Sequence, residues 1–366
     1  MQTESQVAPL RAPVDDADVP YLLQHRRYRL PLRAPLRTAH GVEQQRDGLI
    51  LRLEDGAGRV GFGEVATLPW FGTETTEEAE AGLKEIGPEP GADVLSRVPV
   101  KFGCLRHALA AAQAALAGDD DGAELEALPK SLPVAALLPA GREALPRIGP
   151  LAEAGFRTFT WKVGVGEVAD ELALLDDVCA RLPEGAKLRL DANGAWPRRA
   201  AERWLERAAE RPVEFVEQPS FAKASEGTAL VRRTEDLLMG LAGDFPTPIA
   251  LDESLVGDGD VARWLSQGWP GVFVLKPSLC GDVSAVLAQL AAARAAVVFS
   301  SALETAVGAK SALAHAFRWP GPVRALGFGV WPLFADARFD GPFAGPFLRR
   351  EDVARLNPEA VWNALS

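Results

Sequence analysis

Cysteine is scarce in this sequence, whose 366 residues include only Cys104, Cys179 and Cys280. The three lie far apart, and no two follow a C-x-x-C spacing. This pattern excludes a disulfide framework and a zinc site built from thiolates. We interpret each cysteine as a small apolar residue of the core rather than as a reactive group.

Long hydrophobic runs are also missing. No window approaches the roughly 20 consecutive apolar residues that a membrane-spanning helix needs. Residues 1–20 have no apolar stretch after their charges, so they do not resemble a signal peptide. The sequence therefore predicts a cytoplasmic protein without membrane contact.

An excess of positive charge is absent as well. The net charge is −11 at pH 7, which excludes a broad basic face for binding nucleic acid. A small anionic substrate stays compatible with this charge, because a bound divalent cation reverses the local field. Composition leaves open whether the protein is a monomer or a small homo-oligomer.

The N-terminal part of the chain alternates in the manner of antiparallel strands. Residues 25–32 and 48–65 are predicted strands, with a polar turn predicted from Arg37 to Asp47. Residues 73–86, acidic and threonine-rich at their start, and the Ala- and Leu-rich residues 102–117 are typical of helices. Three strands followed by helices predict a compact α+β unit over residues 1–130.

From residue 131 the pattern changes to short apolar runs separated by amphipathic helical stretches. Eight such units over residues 131–332 predict a parallel (β/α)₈ barrel of the TIM type. An open doubly wound sheet is the alternative, but no glycine-rich dinucleotide motif follows the first run. Residues 333–366 lose the repeat and are predicted to return onto the N-terminal unit. The runs are residues 132–139, 156–165, 187–196, 213–220, 248–254, 271–278, 296–304 and 325–334.

Polar residues stand at the ends of these apolar runs, where barrel enzymes place their chemistry. Asp and Glu side chains end three consecutive runs, and carboxylates held that close together need a cation between them. An all-oxygen set favours Mg²⁺, with Mn²⁺ as a substitute. Each carboxylate by itself could also be a helix cap or a solvated strand end. The carboxylates are Asp191, Glu217 and either Asp252 or Glu253, of which strand alternation allows only one to face the barrel interior.

Two lysines, Lys162 and Lys276, end the second and sixth runs on either side of this carboxylate set. Near a divalent cation and a second lysine, the pKa of an ammonium should fall from its usual value of about 10.4. A neutral lysine could then remove a proton next to a substrate carboxylate, whose developing charge the cation would stabilise. The alternative for each lysine is a structural ion pair with a carboxylate.

The ordered motifs TWKVG, LDANGAW, VEQP, LDES and LKPS resemble the muconate-lactonizing branch of the enolase superfamily. The resemblance extends over nearly the whole chain. It implies a barrel with an N-terminal capping domain completed by the C-terminal segment. It also implies that Lys162 and Lys276 are the acid/base lysines and that Asp191, Glu217 and Asp252 ligate Mg²⁺, which selects Asp252 over Glu253.

One position departs from the family pattern. The branch often has Lys-x-Lys on the second strand, whereas this sequence has Thr160 at the first position. The base position, Lys162, is retained, but a second positive charge beside it is missing. The His/Asp base pair of the mandelate racemase branch is also missing, because none of the four histidines ends a predicted barrel strand.

Within this branch, the capping-domain sequence and the run FSSALETAVG are most similar to the o-succinylbenzoate synthase family. That resemblance implies dehydration of a succinyl-hydroxycyclohexadiene carboxylate in menaquinone or phylloquinone biosynthesis. N-succinylamino acid racemase, dipeptide epimerase and muconate cycloisomerase are the alternatives on the same scaffold. Trp70 and Phe71 could instead only pack the domain interface. The substrate-binding candidates are Thr160, Asn193, Ser300 and Ser301 in the barrel and Arg37, His40, Trp70 and Phe71 in the capping domain.

Overall fold

The computed structural model describes residues 20–38, 41–118, 127–222, 227–343 and 345–365. None of the helices in these ranges has the length and apolar character that crossing a membrane requires. The chain forms a three-stranded antiparallel sheet with helices packed against it, followed by a parallel barrel. This architecture agrees with the fold predicted from the sequence.

The capping sheet contains β1 (Leu22–Thr38), β2 (Gly41–Glu54) and β3 (Val60–Val65) in that order. The predicted polar turn from Arg37 to Asp47 is wrong, because both residues lie in strands, Arg37 opposite Val42 and Asp47 opposite Arg29. The charged side chains of this segment therefore belong to strands and not to a turn. Arg27 Nε donates to Asp47 Oδ1 at 3.0 Å, so the polar face of the hairpin is satisfied across the ladder.

The predicted capping helices are confirmed as α1 (Thr76–Ile86) and α3 (Gly103–Ala117), with a short α2 (Ala92–Ser96) between them. A capping box starts α1: Glu78 N donates to Thr75 Oγ1 at 3.1 Å, and Thr75 N donates to Glu78 Oε2 at 2.8 Å. The sheet approaches α3 closely at Gly63, where a Cβ would lie 1.9 Å from the Ala108 carbonyl oxygen. Only glycine permits this contact between backbones.

The barrel is a sheet of seven hydrogen-bonded parallel strands in sequential order, β5 to β11, which confirms the predicted parallel arrangement. A helix follows each strand in the chain. The strands are β5 (Ala136–Leu138), β6 (Thr158–Lys162), β7 (Lys187–Asp191), β8 (Val213–Glu217), β9 (Ile249–Leu251), β10 (Val272–Leu275) and β11 (Ala296–Phe299), and the helices are α4 (Leu145–Glu153), α5 (Val168–Arg181), α6 (Arg198–Ala208), α7 (Thr228–Asp244), α8 (Asp258–Ser266), α9 (Val283–Ala292) and α10 (Ala306–Phe317).

The eighth predicted strand is not a regular strand. Leu326 and Gly327 close the barrel through isolated parallel bridges, Leu326 with Val134 on one side and Gly327 with Ser300 on the other. Glycine contributes no side chain to the pleated surface and weakens a strand. Gly327 also lies against Ser300, whose Oγ would be 2.5 Å from an added Cβ. The barrel thus closes at the predicted position, but through isolated bridges instead of a hydrogen-bonded strand.

The C-terminal segment contacts both the barrel and the capping sheet. Strand β12 (Phe347–Arg349) pairs antiparallel with β4 (Ser131–Pro133), and helices α11 (Arg350–Ala354) and α12 (Pro358–Ala364) follow it. On α12, the Trp362 ring lies 4.2 Å from the Arg26 guanidinium, whose Nη1 donates to the Trp362 carbonyl at 2.5 Å. These contacts place the end of the chain against β1.

Two histidines face each other where the capping helix α3 meets the barrel helix α10. The ring centroids of His107 and His315 are 6.3 Å apart, and Ser311 Oγ lies 3.5 Å from His107 Nε2. Burial lowers the pKa of His107 to about 3 and the pKa of His315 to about 4. Both imidazoles are therefore neutral in the folded protein near pH 6.

Acidification should destabilise the fold through these histidines. In the unfolded chain a histidine has a pKa of about 6.5, so below that pH the unfolded state binds protons that the folded state does not. Between pH 7 and pH 5, the unfolding free energy should fall by about 2 kcal/mol through His107 alone. Denaturant titrations should show a smaller difference between the two pH values for H107Q than for the wild type. Equal differences would contradict this assignment.

Candidate active site

The strand register places the catalytic candidates side by side. Lys162 on β6 is paired with Asp191 on β7, and Asp191 is paired with Glu217 on β8. Asp252 directly follows β9, and Lys276 directly follows β10. Because all five stand at the carboxyl ends of parallel strands, they line one cavity of about 190 Å³.

Each lysine contacts a carboxylate from a neighbouring strand end. Lys162 Nζ donates to Asp191 Oδ2 and, at 3.1 Å, to Asn193 Oδ1. Lys276 Nζ donates to Asp252 Oδ1. The two ammonium groups therefore lie on either side of the carboxylate set, as the sequence predicted.

The predicted fall in the pKa of Lys162 refers to a site that holds a divalent cation, whereas the protein side chains alone shift this pKa upward. Burial lowers the pKa of this ammonium, but the facing Asp191 and Glu217 carboxylates raise it by more, so the net shift is upward. A lowered pKa requires these carboxylates to be neutralised. A divalent cation held by the same carboxylates would do this.

The carboxylates are crowded; Asp191 and Asp252 are buried, and Glu217 is half-buried. Burial, followed by the charges of Asp191 and Asp252, raises the pKa of Glu217 well above its usual range. Their chemistry fits a hard divalent cation, which prefers oxygen ligands. Within the described ranges, however, no three His, Cys, Asp or Glu side chains present their atoms to one point as a metal site. Two of the carboxylates turn an oxygen toward a lysine instead.

Asp252 and Glu253 both line the cavity, so the prediction that only one of them faces inward is wrong. Strand β9 ends at Leu251, and the alternation of side chains does not extend beyond it. Asp252 contacts Lys276, whereas Glu253 Oε1 accepts a hydrogen bond from Asn193 Nδ2 at 3.0 Å. The substrate-binding candidate Asn193 thus connects Lys162 to Glu253.

Gln218 orders the loop that carries Asp252, a role that the sequence did not reveal. Its Oε1 accepts from Asp252 N at 2.9 Å and from Ser254 N at 3.3 Å. The Gln218 backbone is left-handed, with φ of 34°, and its side chain is buried. A polar residue directly after the metal-ligand candidate Glu217 is the only signal of this role in the sequence.

The capping domain covers the cavity with a turn over residues 68–72. Trp70 and Phe71 both line the cavity, and the Phe71 ring centroid lies 4.3 Å from Lys276 Nζ. For Arg37 only the backbone is described, in β1, and His40 lies outside the described residues. The placement of their side chains stays a prediction.

The remaining barrel candidates also reach the cavity. Thr160, Ser300 and Ser301 line it. Thr160 and Lys162 are two residues apart on β6 and therefore point to the same side. Several further lining residues were not predicted, among them Arg189 and Leu303. Arg189 stands two residues before Asp191 on β7, so the period of a strand could have indicated it; Leu303 lies in a loop without such a period.

Comparisons with known proteins agree with this geometry. Residues 147–344 match the family described as Enolase C-terminal domain-like, and residues 23–104 match the family described as MenC, N-terminal domain. An o-succinylbenzoate synthase of Thermosynechococcus vestitus is 40% identical over 84% of this chain and 92% of its own. A hydrophobic dipeptide epimerase of Roseobacter litoralis is 33% identical over 73% of this chain and 78% of its own.

A solved structure extends the likeness to three dimensions. The o-succinylbenzoate synthase of Thermosynechococcus elongatus, solved with Mg in its active site, superposes with a TM-score of 0.77. It is 34% identical, and the match covers 94% of this chain and 99% of that one. The chain therefore belongs to the enolase superfamily and, within its muconate-lactonizing branch, is related to the o-succinylbenzoate synthases.

Proposed function

We infer that this protein is a Mg²⁺-dependent dehydratase that forms o-succinylbenzoate from a succinyl-hydroxycyclohexadiene carboxylate, in menaquinone or phylloquinone biosynthesis. The observation that carries this function is the 40% identity to an o-succinylbenzoate synthase over 84% of the chain. The chain keeps the two lysines and three carboxylates at five strand ends of one cavity. Removal of a proton next to a carboxylate calls for such a base and for a cation that stabilises the developing charge.

Asp191, Glu217 and Asp252 would hold the cation, since they supply oxygen ligands at three consecutive strand ends, and Asp191 and Asp252 are buried there. When bound, Mg²⁺, or Mn²⁺ in its place, would stabilise the negative charge that develops on the substrate carboxylate. A cation there would also oppose the carboxylate charges that raise the pKa of Lys162. The lysine could then be neutral in a useful fraction of molecules.

Lys162 is the base in this proposal. Its Nζ takes the proton next to the substrate carboxylate, the electrons of the C–H bond form the new ring double bond, and the C–O bond breaks as hydroxide leaves. Asn193 orients the ammonium through its 3.1 Å contact. The capping-domain turn with Trp70 and Phe71 would exclude water from the ring.

Lys276 has a charge-stabilising role and transfers no proton. Its Nζ already lies 4.3 Å from the centroid of the Phe71 ring, a distance typical of cation–π contacts. A substrate ring could take a similar contact on the other side of the ammonium. The pairing with Asp252 holds Lys276 in place.

A 1,1-proton transfer is the second candidate, because two lysines that line one cavity are what a racemase needs. The 33% identity to a hydrophobic dipeptide epimerase also supports this type of reaction. Against a dipeptide substrate, the last barrel run, GFGVWPLF, lacks the Asp-x-Asp that would bind a substrate ammonium. N-succinylamino acid racemization therefore remains the stronger of these alternatives.

Three substrates assayed with the purified protein and Mg²⁺ separate these functions. We expect dehydration of the cyclohexadiene carboxylate to have a kcat/KM at least about 100-fold above N-succinylamino acid racemization, and no epimerization of dipeptides. Fast racemization without dehydration would overturn the assignment. EDTA should abolish dehydration, and added Mg²⁺ should restore it.

Substitution of Lys276 tests its role. If it only stabilises charge, K276R should keep activity within about 100-fold of the wild type, whereas K276A should lose more. Steady-state kcat for dehydration is the measurement. Equal loss in K276R and K276A would contradict a purely electrostatic role and would favour proton transfer by Lys276.

A further inference from the structure

Arg46 is a buried cation that contacts no carboxylate among its hydrogen bonds in the described structure. Its side chain is 2% exposed and extends from β2 of the capping domain toward the barrel. It donates instead to four backbone carbonyl oxygens. These are Leu303 (3.1 Å), Asp47 (3.1 Å), Thr67 (2.8 Å) and Ala302 (3.0 Å).

The barrel carbonyls that Arg46 holds belong to the loop after β11, which forms part of the cavity wall. Leu303 lines the cavity together with both lysines. Its backbone is left-handed, with φ of 62°, a conformation that costs free energy for a residue with a branched side chain. Leu303 N donates to Ser301 Oγ at 2.9 Å, so the conformation is held at the amide by Ser301 and at the carbonyl by Arg46.

Hydrogen bonds also connect this loop to the segment that follows Lys276 at the end of the neighbouring strand, β10. Ser301 Oγ donates to Glu304 Oε2, and Ser278 Oγ donates to Glu304 Oε1 at 2.8 Å. Ser278 is two residues from Lys276. A continuous hydrogen-bonded chain thus extends from the capping domain, through Leu303, to the strand end that carries Lys276.

A second capping-domain residue holds the far end of the loop. Glu64 on β3 accepts from Thr305 N at 2.9 Å and from Gly308 N at 2.8 Å, at the start of α10. Glu64 therefore binds amides, whereas Arg46 binds carbonyls. Of the two, Arg46 is the one that contacts Leu303 in the cavity lining, and its guanidinium also lies 5.9 Å from the ring of Trp70, another lining residue.

We propose that Arg46 is a positioning residue that holds Leu303 in the cavity wall and so sets how tightly the site binds the part of the substrate remote from the cation. The proposal rests on the proposed function, because it takes o-succinylbenzoate as the ligand. Arginine is required here because its planar fork reaches separate carbonyls, which the single ammonium of lysine does not.

The test is a double-mutant cycle on Arg46 and Leu303, with Kd for o-succinylbenzoate measured by calorimetry in the presence of Mg²⁺. We expect R46K and L303G each to raise Kd about tenfold, and the double variant to raise it about tenfold as well, because both remove the same wall. Multiplied effects, about 100-fold in the double variant, would overturn the proposal. So would an unchanged Kd in L303G, which folds without the backbone strain because glycine tolerates this φ.

A matched control separates this role from general support of the capping domain. Arg26 is also an arginine of the capping sheet with a backbone carbonyl contact, but it holds Trp362 on the side of the C-terminal helix. R26K should leave Kd within about twofold of the wild type, even if it lowers the melting temperature. In dehydration assays, R46K should raise KM with kcat within about threefold, since the lysines and carboxylates are intact. A fall in kcat with KM unchanged would contradict the proposal.

The wild-type control separates failure of the function from failure of the role of Arg46. If the wild type neither binds o-succinylbenzoate nor dehydrates the cyclohexadiene carboxylate, the proposed function fails. If the wild type does both and R46K binds as tightly as the wild type, only the role of Arg46 fails.

Discussion

Replacing Lys162 by alanine should lower kcat for dehydration by at least about 1,000-fold, because it removes the base that takes the substrate proton. Lys162 is paired with Asp191 across β6 and β7, and its Nζ donates to both Asp191 and Asn193. The measurement is steady-state turnover with saturating Mg²⁺. Since the side chain is only half-buried, the fold should tolerate the change.

The matched control is Lys187, at the opposite end of the same pair of strands. Its side chain is 60% exposed and lies 3.8 Å from Glu214, and neither residue lines the cavity. K187A removes an equal charge and should keep kcat within about twofold, because Lys187 is exposed and Glu214 keeps its contacts with Arg189 and Arg324. Retention of more than a tenth of wild-type activity by K162A would show that the base is misassigned.

Replacing Glu217 by glutamine should have the second large effect, on cation binding. Glu217 is the central carboxylate of the three, and burial with the charges of Asp191 and Asp252 raises its pKa. The neutral amide removes one ligand charge, so Kd for Mg²⁺ should rise at least about tenfold, with a corresponding loss of activity at low Mg²⁺.

Thermal unfolding gives a readout of Glu217 that does not depend on activity. Without added metal, E217Q should melt at a higher temperature than the wild type, because it removes a carboxyl group whose ionisation is disfavoured by its surroundings and by the charges of Asp191 and Asp252. With added Mg²⁺, the wild type should gain stability by mass action, whereas E217Q should gain little. The exposed Glu210 supplies the control: E210Q should behave as the wild type in both conditions. An E217Q protein with the wild-type Mg²⁺ response would contradict the ligand assignment.

The sequence predicted the barrel and the identity of the strand-end residues because both follow from period and position. Asp191 and Glu217 could be placed side by side, since each ends an apolar run and parallel strands bring their carboxyl ends together. Features that depend on loops could not be predicted in this way. Glu253 lines the cavity together with Asp252 because β9 ends at Leu251. Beyond the end of a strand, the alternation of side chains no longer predicts which way a residue points.

Contacts between the domains were the least predictable from sequence. Arg46 lies next to Asp47 in a polar stretch that was interpreted as a turn, yet Arg46 is buried and Asp47 pairs with Arg27. Once the pairing of β1 with β2 is known, the alternation of side chains along a strand explains why Arg46 and Asp47 lie on opposite faces of the sheet. Nothing local in the sequence indicates that the Arg46 guanidinium meets the Leu303 carbonyl 257 positions away.

Thr160 marks where this chain differs from the Lys-x-Lys pattern of its branch. The residue is buried, lines the cavity and points to the same side as Lys162. With threonine there, no second ammonium on β6 opposes the carboxylates that raise the pKa of Lys162. The proposed mechanism therefore depends more strongly on the bound cation to make Lys162 a base.

Proton exchange tests the central claim, that Lys162 alone removes the substrate proton, most directly. A substrate analogue with hydrogen in place of the leaving hydroxyl cannot eliminate, so its α-proton can be followed by NMR in D₂O with Mg²⁺. We expect exchange by the wild type, slower but measurable exchange by K276A, and none by K162A. Exchange that persists in K162A, or is lost only in K276A, would contradict it.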